Sequence, residues 1–114
     1  MKIKVSEMTG PTLDWAVEKA RGMDMSGEVL WLFDGSKEGF AASTDWAQGG
    51  PIIDRELIAP EPLMDTNCSL VKWSCRNWKG NGADFFGPTF LIAAMRCFCA
   101  SKLGDTVEIP KELT

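Results

Sequence analysis

The longest apolar run in the chain lies near its C-terminal end, over residues 90–100, and Arg96 is the only charge in it. Apolar side chains cover every face of a helix drawn through this run, and such a helix is typical of a protein core. The run is shorter than the ~20 residues that a membrane span needs. Pro88 suits the first position of a helix, and Gly104 suits the position after its last turn. We therefore predict a core helix over about 88–103.

A second stretch, over residues 13–20, repeats apolar residues at helical spacing and predicts an amphipathic helix over about 11–21. Its apolar stripe consists of Leu13, Ala16 and Val17, which we expect to pack against the core helix. The charged residues of this helix are predicted to face solvent. They are Asp14, Glu18, Lys19 and Arg21.

Shorter patterns predict β-strands. Residues 2–5 and 70–75 alternate between polar and apolar side chains, and residues 107–109 form a last short strand. Residues 29–33 form an apolar run, which a turn at 34–35 connects to a returning strand at 39–42. Two helices packed with short antiparallel strands make an α+β fold, and 114 residues suit a single domain over 1–114.

Residues 43–51 are predicted to be a polar loop, because Gly49, Gly50 and Pro51 disfavour regular structure, and a turn or short helix is expected at 54–57. Trp46 lies within this segment. An indole in a loop either stacks on a flat ligand or folds back and pins its own loop, and the sequence does not decide between the two. The glycine N–H groups would let a ligand approach the backbone closely.

The same stretch resembles the NinX-like proteins of lambdoid bacteriophages, a family of unknown function. The resemblance is carried by Ser-Thr-Asp-Trp-Ala-Gln-Gly-Gly-Pro-Ile-Ile at residues 43–53, by residues 5–17, and by residues 87–105. Residues 57–86 match the family poorly, and Ala42 stands where many members carry an aromatic residue. The resemblance implies a small phage accessory protein in the cytoplasm of the bacterial host, and it implies no reaction.

Charge and composition disfavour several classes of function. The net charge of −4 without a basic stripe argues against a nucleic-acid binder, and no segment suits export or a membrane. The chain has no histidine and no phosphate-loop motif. A carboxylate pair such as Asp45 and Asp54 could support acid–base chemistry, but loop carboxylates more often cap helices and turns. We therefore predict that the protein is not an enzyme.

The four cysteines are predicted to be free thiols. They occur without a Cys-x-x-Cys pair, and Cys97 and Cys99 point ~200° apart on a helix. The spacings that bind zinc are absent from the sequence. We therefore predict no metal and no cofactor.

Arg96 needs partners for its guanidinium donors. The partner is either an internal carboxylate, such as Asp45 or Asp54, or the anionic group of a ligand, which a guanidinium binds in bidentate fashion. Arg55 is a second candidate of the same kind.

These features together predict that the protein binds and sequesters a small, flat, anionic molecule, such as a nucleotide-like signal of host defence. The alternative is a protein–protein inhibitor of a host enzyme, anchored by Trp78, Phe85 and Phe86. A homo-oligomer remains open. We expect the ligand site where residues 43–51 meet the core helix. Its predicted residues are Thr44, Asp45, Trp46, Gln48, Gly49, Gly50, Arg55 and Arg96.

Overall fold

The computed structural model describes residues 1–22, 39–77 and 84–113. Their three α-helices are α1 (Gly10–Ala20), α2 (Trp46–Glu56) and α3 (Phe90–Leu103). Their strands are β1 (Lys2–Lys4), β2 (Ile58–Met64), β3 (Leu70–Asn77), β4 (Asp84–Gly87) and β5 (Thr106–Glu108). One antiparallel sheet pairs β1 with β5, and the other has the order β2-β3-β4. The predicted α+β class is confirmed, with one helix more than expected.

The predicted core helix is α3, and it contacts both sheets and both other helices. Its middle residues Ala93, Ala94 and Met95 are fully buried. The helix begins at Phe90, two residues later than predicted, because Thr89 is its N-cap and accepts a hydrogen bond from the Ile92 N–H at 3.1 Å. It ends as expected at Gly104, whose positive φ of 91° favours glycine.

Helix α1 packs on α3 as predicted, and its apolar stripe of Leu13, Ala16 and Val17 belongs to the shared core. The prediction that its charged face meets solvent is wrong for Asp14 and Glu18, which are both buried. The Asp14 carboxylate accepts a 2.9 Å hydrogen bond from the Ser43 backbone N–H, so the chain before α2 covers this face.

Residues 46–56 form helix α2. The predicted loop is therefore wrong over 46–51, whereas the short helix expected from residue 54 is the last turn of α2. Asp45 caps its first turn by accepting a 3.1 Å hydrogen bond from the Ala47 N–H. Pro51 removes one hydrogen bond inside the helix. Burial of Ile52 and Gly49 against the core offsets this loss. Tertiary packing therefore overrides the local preference of this sequence for a turn.

The predicted strand at 39–42 is also wrong. The side-chain amide of Gln48 holds this segment through two hydrogen bonds to its backbone. It accepts from the Ala41 N–H at 2.9 Å and donates to the Gly39 carbonyl at 2.9 Å. Residues 29–35 and Trp78 lie outside the described part of the chain, so the predictions for them stay open.

Strands β2 and β3 form a long hairpin. The predicted strand over 70–75 is confirmed and extends to Asn77, and residues 59–62 belong to its partner strand β2. Two prolines of β2, Pro60 and Pro62, lie opposite Cys75 and Trp73. They are tolerated because β2 is an edge strand, whose outward N–H groups need no partner in the sheet.

Candidate functional site

A groove of about 470 Å³ lies where residues 43–46 meet the start of α3. The sequence predicts a site at this junction. Among the described residues, none that lines the groove carries a formal charge. Its main walls are Thr44, Trp46, Leu70, Trp73, Thr89 and Phe90.

Three aromatic side chains form one wall of the groove. The Trp46 ring lies on Phe90 with 4.9 Å between centroids, and Phe90 lies 5.3 Å from Trp73. Trp46 is the first residue of α2, and 55% of its surface is exposed. It therefore contacts the core helix at one edge and still presents a large aromatic surface to solvent, where a flat molecule could stack.

The polar groups of the groove come mainly from the start of α3. The N–H groups of Phe90 and Leu91 open the helix, where no preceding turn supplies an acceptor. The positive end of the helix dipole lies at the same place. The Thr44 hydroxyl is on the groove wall, with a long 3.4 Å hydrogen bond to the Ala41 carbonyl. The groove can therefore accept a weakly anionic group without a cationic side chain.

Ser43 lies at the inner end of the groove and is held from behind by Asp14. The Asp14 carboxylate accepts from the Ser43 N–H at 2.9 Å. Burial raises the pKa of Asp14, and the hydroxyl and N–H of Ser43 lower it by a smaller amount. Asp14, predicted from the sequence to face solvent, is therefore a buried acid. It positions Ser43 on one wall of the groove.

Two of the predicted site residues have structural roles instead. Asp45 caps α2, and its other carboxylate oxygen accepts a 3.2 Å hydrogen bond from the Gln48 amide. Gln48 uses the rest of its amide to hold residues 39–41. Both side chains thus organise the backbone that carries Trp46.

Gly49 and Gly50 are helix residues and differ from one another. A Cβ atom on Gly49 would lie 2.5 Å from the Ala42 carbonyl oxygen and 2.7 Å from Leu91 Cδ2, so glycine permits close packing here. Gly50 has open space, with Trp46 Cε3 at 4.0 Å as its nearest neighbour. It lines a separate hollow of about 320 Å³ next to Trp46.

Neither predicted arginine reaches the groove. The Nε of Arg96 donates to the Met8 carbonyl at 2.9 Å, and one terminal nitrogen donates to the Phe86 carbonyl at 2.7 Å. Its expected carboxylate partner is therefore wrong, because Arg96 faces the chain before α1 and strand β4. Burial lowers the Arg96 pKa. Arg55 is half exposed and pairs with the adjacent Glu56 at 3.3 Å.

Sequence reasoning missed Trp73, Phe90, Leu70 and Thr89. Phe90 belongs to the predicted core helix and Trp73 to the strand predicted over 70–75, so neither was predicted to line a site. The spacing of apolar and polar residues does not predict that the start of α3 and the β2–β3 hairpin meet at the protein surface. Only the tertiary arrangement brings these residues beside Trp46.

All four cysteines are free thiols in the structure, with Cys68 exposed and the others buried. Burial, helped by the nearby Cys97, raises the pKa of Cys75 to about 12, so its thiol is a poor nucleophile at neutral pH. Within residues 1–22, 39–77 and 84–113, no cluster of carboxylates and thiols has a geometry that could hold a metal ion. No helix in these ranges is long and apolar enough to cross a bilayer.

Of the predicted protein-binding anchors, Phe86 is partly exposed and carries Lys72 over its ring at 4.5 Å. Phe85 packs against the core instead.

The chain was compared with known proteins. A search of curated proteins found no match. The family described as Bacteriophage P22, NinX matches residues 4–102, which is most of the chain and includes every residue of the groove. The chain therefore belongs to the NinX family of bacteriophage proteins.

Proposed function

We propose that this protein binds and sequesters a small, flat, nucleotide-like molecule in the Trp46 groove, without catalysing a reaction, in the cytoplasm of the infected cell. The observation that carries the proposal is the exposed Trp46 ring in an uncharged groove of about 470 Å³. That volume is within the range of small-molecule sites, ~300–1,000 Å³. A counter-defence role fits the phage family, as an analogy between small phage proteins.

The geometry restricts the charge of such a ligand. Arg55 and Arg96 lie elsewhere, so only the N–H groups and the dipole at the start of α3 favour an anion. A helix end stabilises a nearby charge by ~0.3–1 kcal/mol at exposed sites. We therefore favour a ligand with a flat ring and one diffuse negative charge, such as a cyclic nucleotide, over a highly charged triphosphate.

The test is calorimetric titration of a panel of nucleotides and cyclic nucleotides against the wild type, Trp46→Ala and Phe86→Ala. Stacking of a base on an aromatic side chain contributes ~1–3 kcal/mol, so Trp46→Ala should weaken binding at least about tenfold. Phe86→Ala removes another partly exposed aromatic ring outside the groove and should bind normally. The absence of binding heat for every nucleotide with the wild type would reject the proposal.

A second candidate function is inhibition of a host protein, and a strip on the hairpin favours it. Met64, Leu70 and Val71 are each about half exposed at the far end of the hairpin. Leu70 also lines the Trp46 groove, so the strip continues that apolar surface. Contiguous exposed apolar surface is typical of protein-binding sites.

This second candidate is tested by purification of tagged protein from infected cells. A host enzyme that the wild type holds in stoichiometric amount and that Val71→Asp loses would favour inhibition over small-molecule binding. Recovery of the wild type without any partner would count against it.

A further inference from the structure

The hollow of about 320 Å³ beside Trp46 differs in chemistry from the Trp46 groove. Its described lining residues are Trp46, Gly50, Ile53, Asp54, Leu57 and Ile58. The first five of them repeat at helical spacing, so the hollow lies along one face of α2 and its C-cap. We call it the α2 hollow.

Gly50 creates the α2 hollow, because a side chain is missing at the middle of this helix face. A Cβ atom on Gly50 would have Trp46 Cε3, at 4.0 Å, as its nearest neighbour. Close packing requires Gly49, where a Cβ atom would lie 2.5 Å from the Ala42 carbonyl oxygen, but it does not require Gly50. Glycine is less favourable than alanine inside a helix, so Gly50 lowers the stability of α2 without a steric need. What it provides is open space beside the indole.

Asp54 supplies a negative charge at the other end of the α2 hollow. It is an exposed residue, and its carboxylate forms no hydrogen bond or ion pair with the described part of the chain. The nearby cations Arg55 and Lys102 both pair with Glu56, at 3.3 and 3.5 Å, and neither lines the hollow. Helix α2 ends at Glu56, so the negative end of its dipole lies next to Asp54. The α2 hollow therefore favours a cation.

Trp46 and Leu57 are apolar walls of the α2 hollow, and each is more than half exposed. The ring face of a tryptophan attracts a cation that lies within ~6 Å of its centre. Leu57 has a positive φ of 55°, at a helix end where glycine or asparagine is usual. A large apolar side chain is thus held at the rim despite the strain of this backbone conformation.

We propose that the α2 hollow binds a small primary alkylammonium ion. The ammonium group would donate to the Asp54 carboxylate, and the alkyl chain would lie over Gly50 against the indole of Trp46. A small ligand fits the volume, which is near the lower end of the range for small-molecule sites, ~300–1,000 Å³. This site does not rest on the proposed function of the Trp46 groove, although Trp46 borders both.

The probe is n-pentylammonium chloride, titrated into ¹⁵N-labelled full-length protein and followed by the indole N–H resonances in NMR. The Trp46 resonance is identified by its absence from the spectrum of Trp46→Phe. Pentanol has the same chain without the charge, and ammonium chloride has the charge without the chain. We expect saturable binding of pentylammonium that moves the Trp46 resonance, and no saturable shift with pentanol or ammonium.

The matched variants are Asp54→Asn, Gly50→Leu and Glu7→Gln, each checked by thermal melting. Asp54→Asn removes the charge at nearly constant size and should weaken pentylammonium binding about tenfold. Gly50→Leu fills the α2 hollow and should abolish binding. Glu7→Gln removes an exposed carboxylate outside the hollow and should bind as the wild type does.

The two proposals can fail separately. Asp54 does not line the Trp46 groove, so Asp54→Asn should bind nucleotides in the calorimetric test as the wild type does. Asp54→Asn also changes an exposed residue, and it keeps the test decisive if Gly50→Leu does not fold.

Several results would overturn the proposal. The first is no saturable shift up to about 50 mM pentylammonium, which would place the Kd far above the millimolar range. The second is equal affinity for pentanol, and the third is equal weakening by Glu7→Gln, which would show a non-specific effect of charge. Full affinity in a folded Gly50→Leu would place the amine elsewhere. Tighter binding of Nα-acetyl-lysine methylamide than of pentylammonium would reassign the hollow to a lysine side chain of a partner protein.

Discussion

The interior around α3 and the Trp46 groove differ in their content of charged side chains. The interior holds Arg96, Asp14 and Glu18, all buried. The groove is open to solvent, and its described lining residues are all uncharged. In the interior, main-chain groups satisfy Arg96 and one oxygen of Asp14. Arg96 and Asp14 therefore connect segments of the interior through hydrogen bonds. Neutral residues form the surface that a ligand could reach.

The largest effect should come from a new charge in the interior. Ala93→Asp places a carboxylate at a fully buried position on α3. We expect loss of more than about 4 kcal/mol of stability, because a buried unpaired charge is among the most destabilising changes. Ala47→Asp makes the same change at an exposed position in the first turn of α2 and should change stability by less than ~0.5 kcal/mol. Urea unfolding measures both, and similar stabilities would refute the buried position of α3.

The next effect should come from an existing interior charge. Arg96→Met keeps the aliphatic volume but leaves the Met8 and Phe86 carbonyls without their donor. We expect a loss of ~2–4 kcal/mol, since each buried group left unpaired costs ~1–3 kcal/mol. Arg55→Met, at an exposed site, should cost less than ~1 kcal/mol. Thermal unfolding of both variants is the measurement, and an unchanged melting temperature for Arg96→Met would contradict a structural role.

Substitution of the adjacent glycines Gly49 and Gly50 tests how α2 packs between the interior and the Trp46 groove. Gly49→Ala should destabilise by ~1–3 kcal/mol, because the new methyl meets the Ala42 carbonyl and Leu91. Gly50→Ala should stabilise by up to ~1 kcal/mol, since alanine favours a helix and finds open space. Chemical denaturation of the pair decides the sign at each site. The same sign at both would show that α2 does not pack as described.

The smallest effect concerns the pH dependence of stability. Burial raises the pKa of folded Asp14, so the folded state keeps this proton to a higher pH than the unfolded state does. Stability should therefore fall as pH rises from the ordinary aspartate value of about 4 through the raised value. Asp14→Asn can still accept from the Ser43 N–H and should flatten this fall. Glu18, whose pKa burial also raises, should keep part of the slope in that variant. Urea titrations from pH 4 to 8 measure the slope, and identical slopes would contradict the assignment to Asp14.

Much of the fold follows from periodicity in the sequence. The spacing of apolar residues identifies α1 and α3, and alternation identifies β3, because these elements bury one side or all sides in a single core. Helix α2 could not be predicted in this way. Its two glycines and its proline indicate a turn locally. The helix depends on close packing of Gly49 against Ala42 and Leu91, which are distant from one another in the sequence.

The candidate site was predictable in place but not in composition. Trp46 stands out because it lies in a polar stretch, and the groove is found where that stretch meets α3. Arg96 stands out for a different reason, its charge in an apolar helix, and that charge is used internally. Sequence alone does not show which carbonyls a buried arginine can reach, since Met8 and Phe86 are brought to it by the fold.

The prolines of β2 have a consequence for association between copies of the protein. Growth of a sheet from one copy to the next requires an edge strand with both donors and acceptors in register, and this growth is the route to fibrils. Pro60 and Pro62 remove two donors from one edge of the three-stranded sheet, within its longest strand pair. The β2 edge should therefore pair poorly with a second copy of the chain.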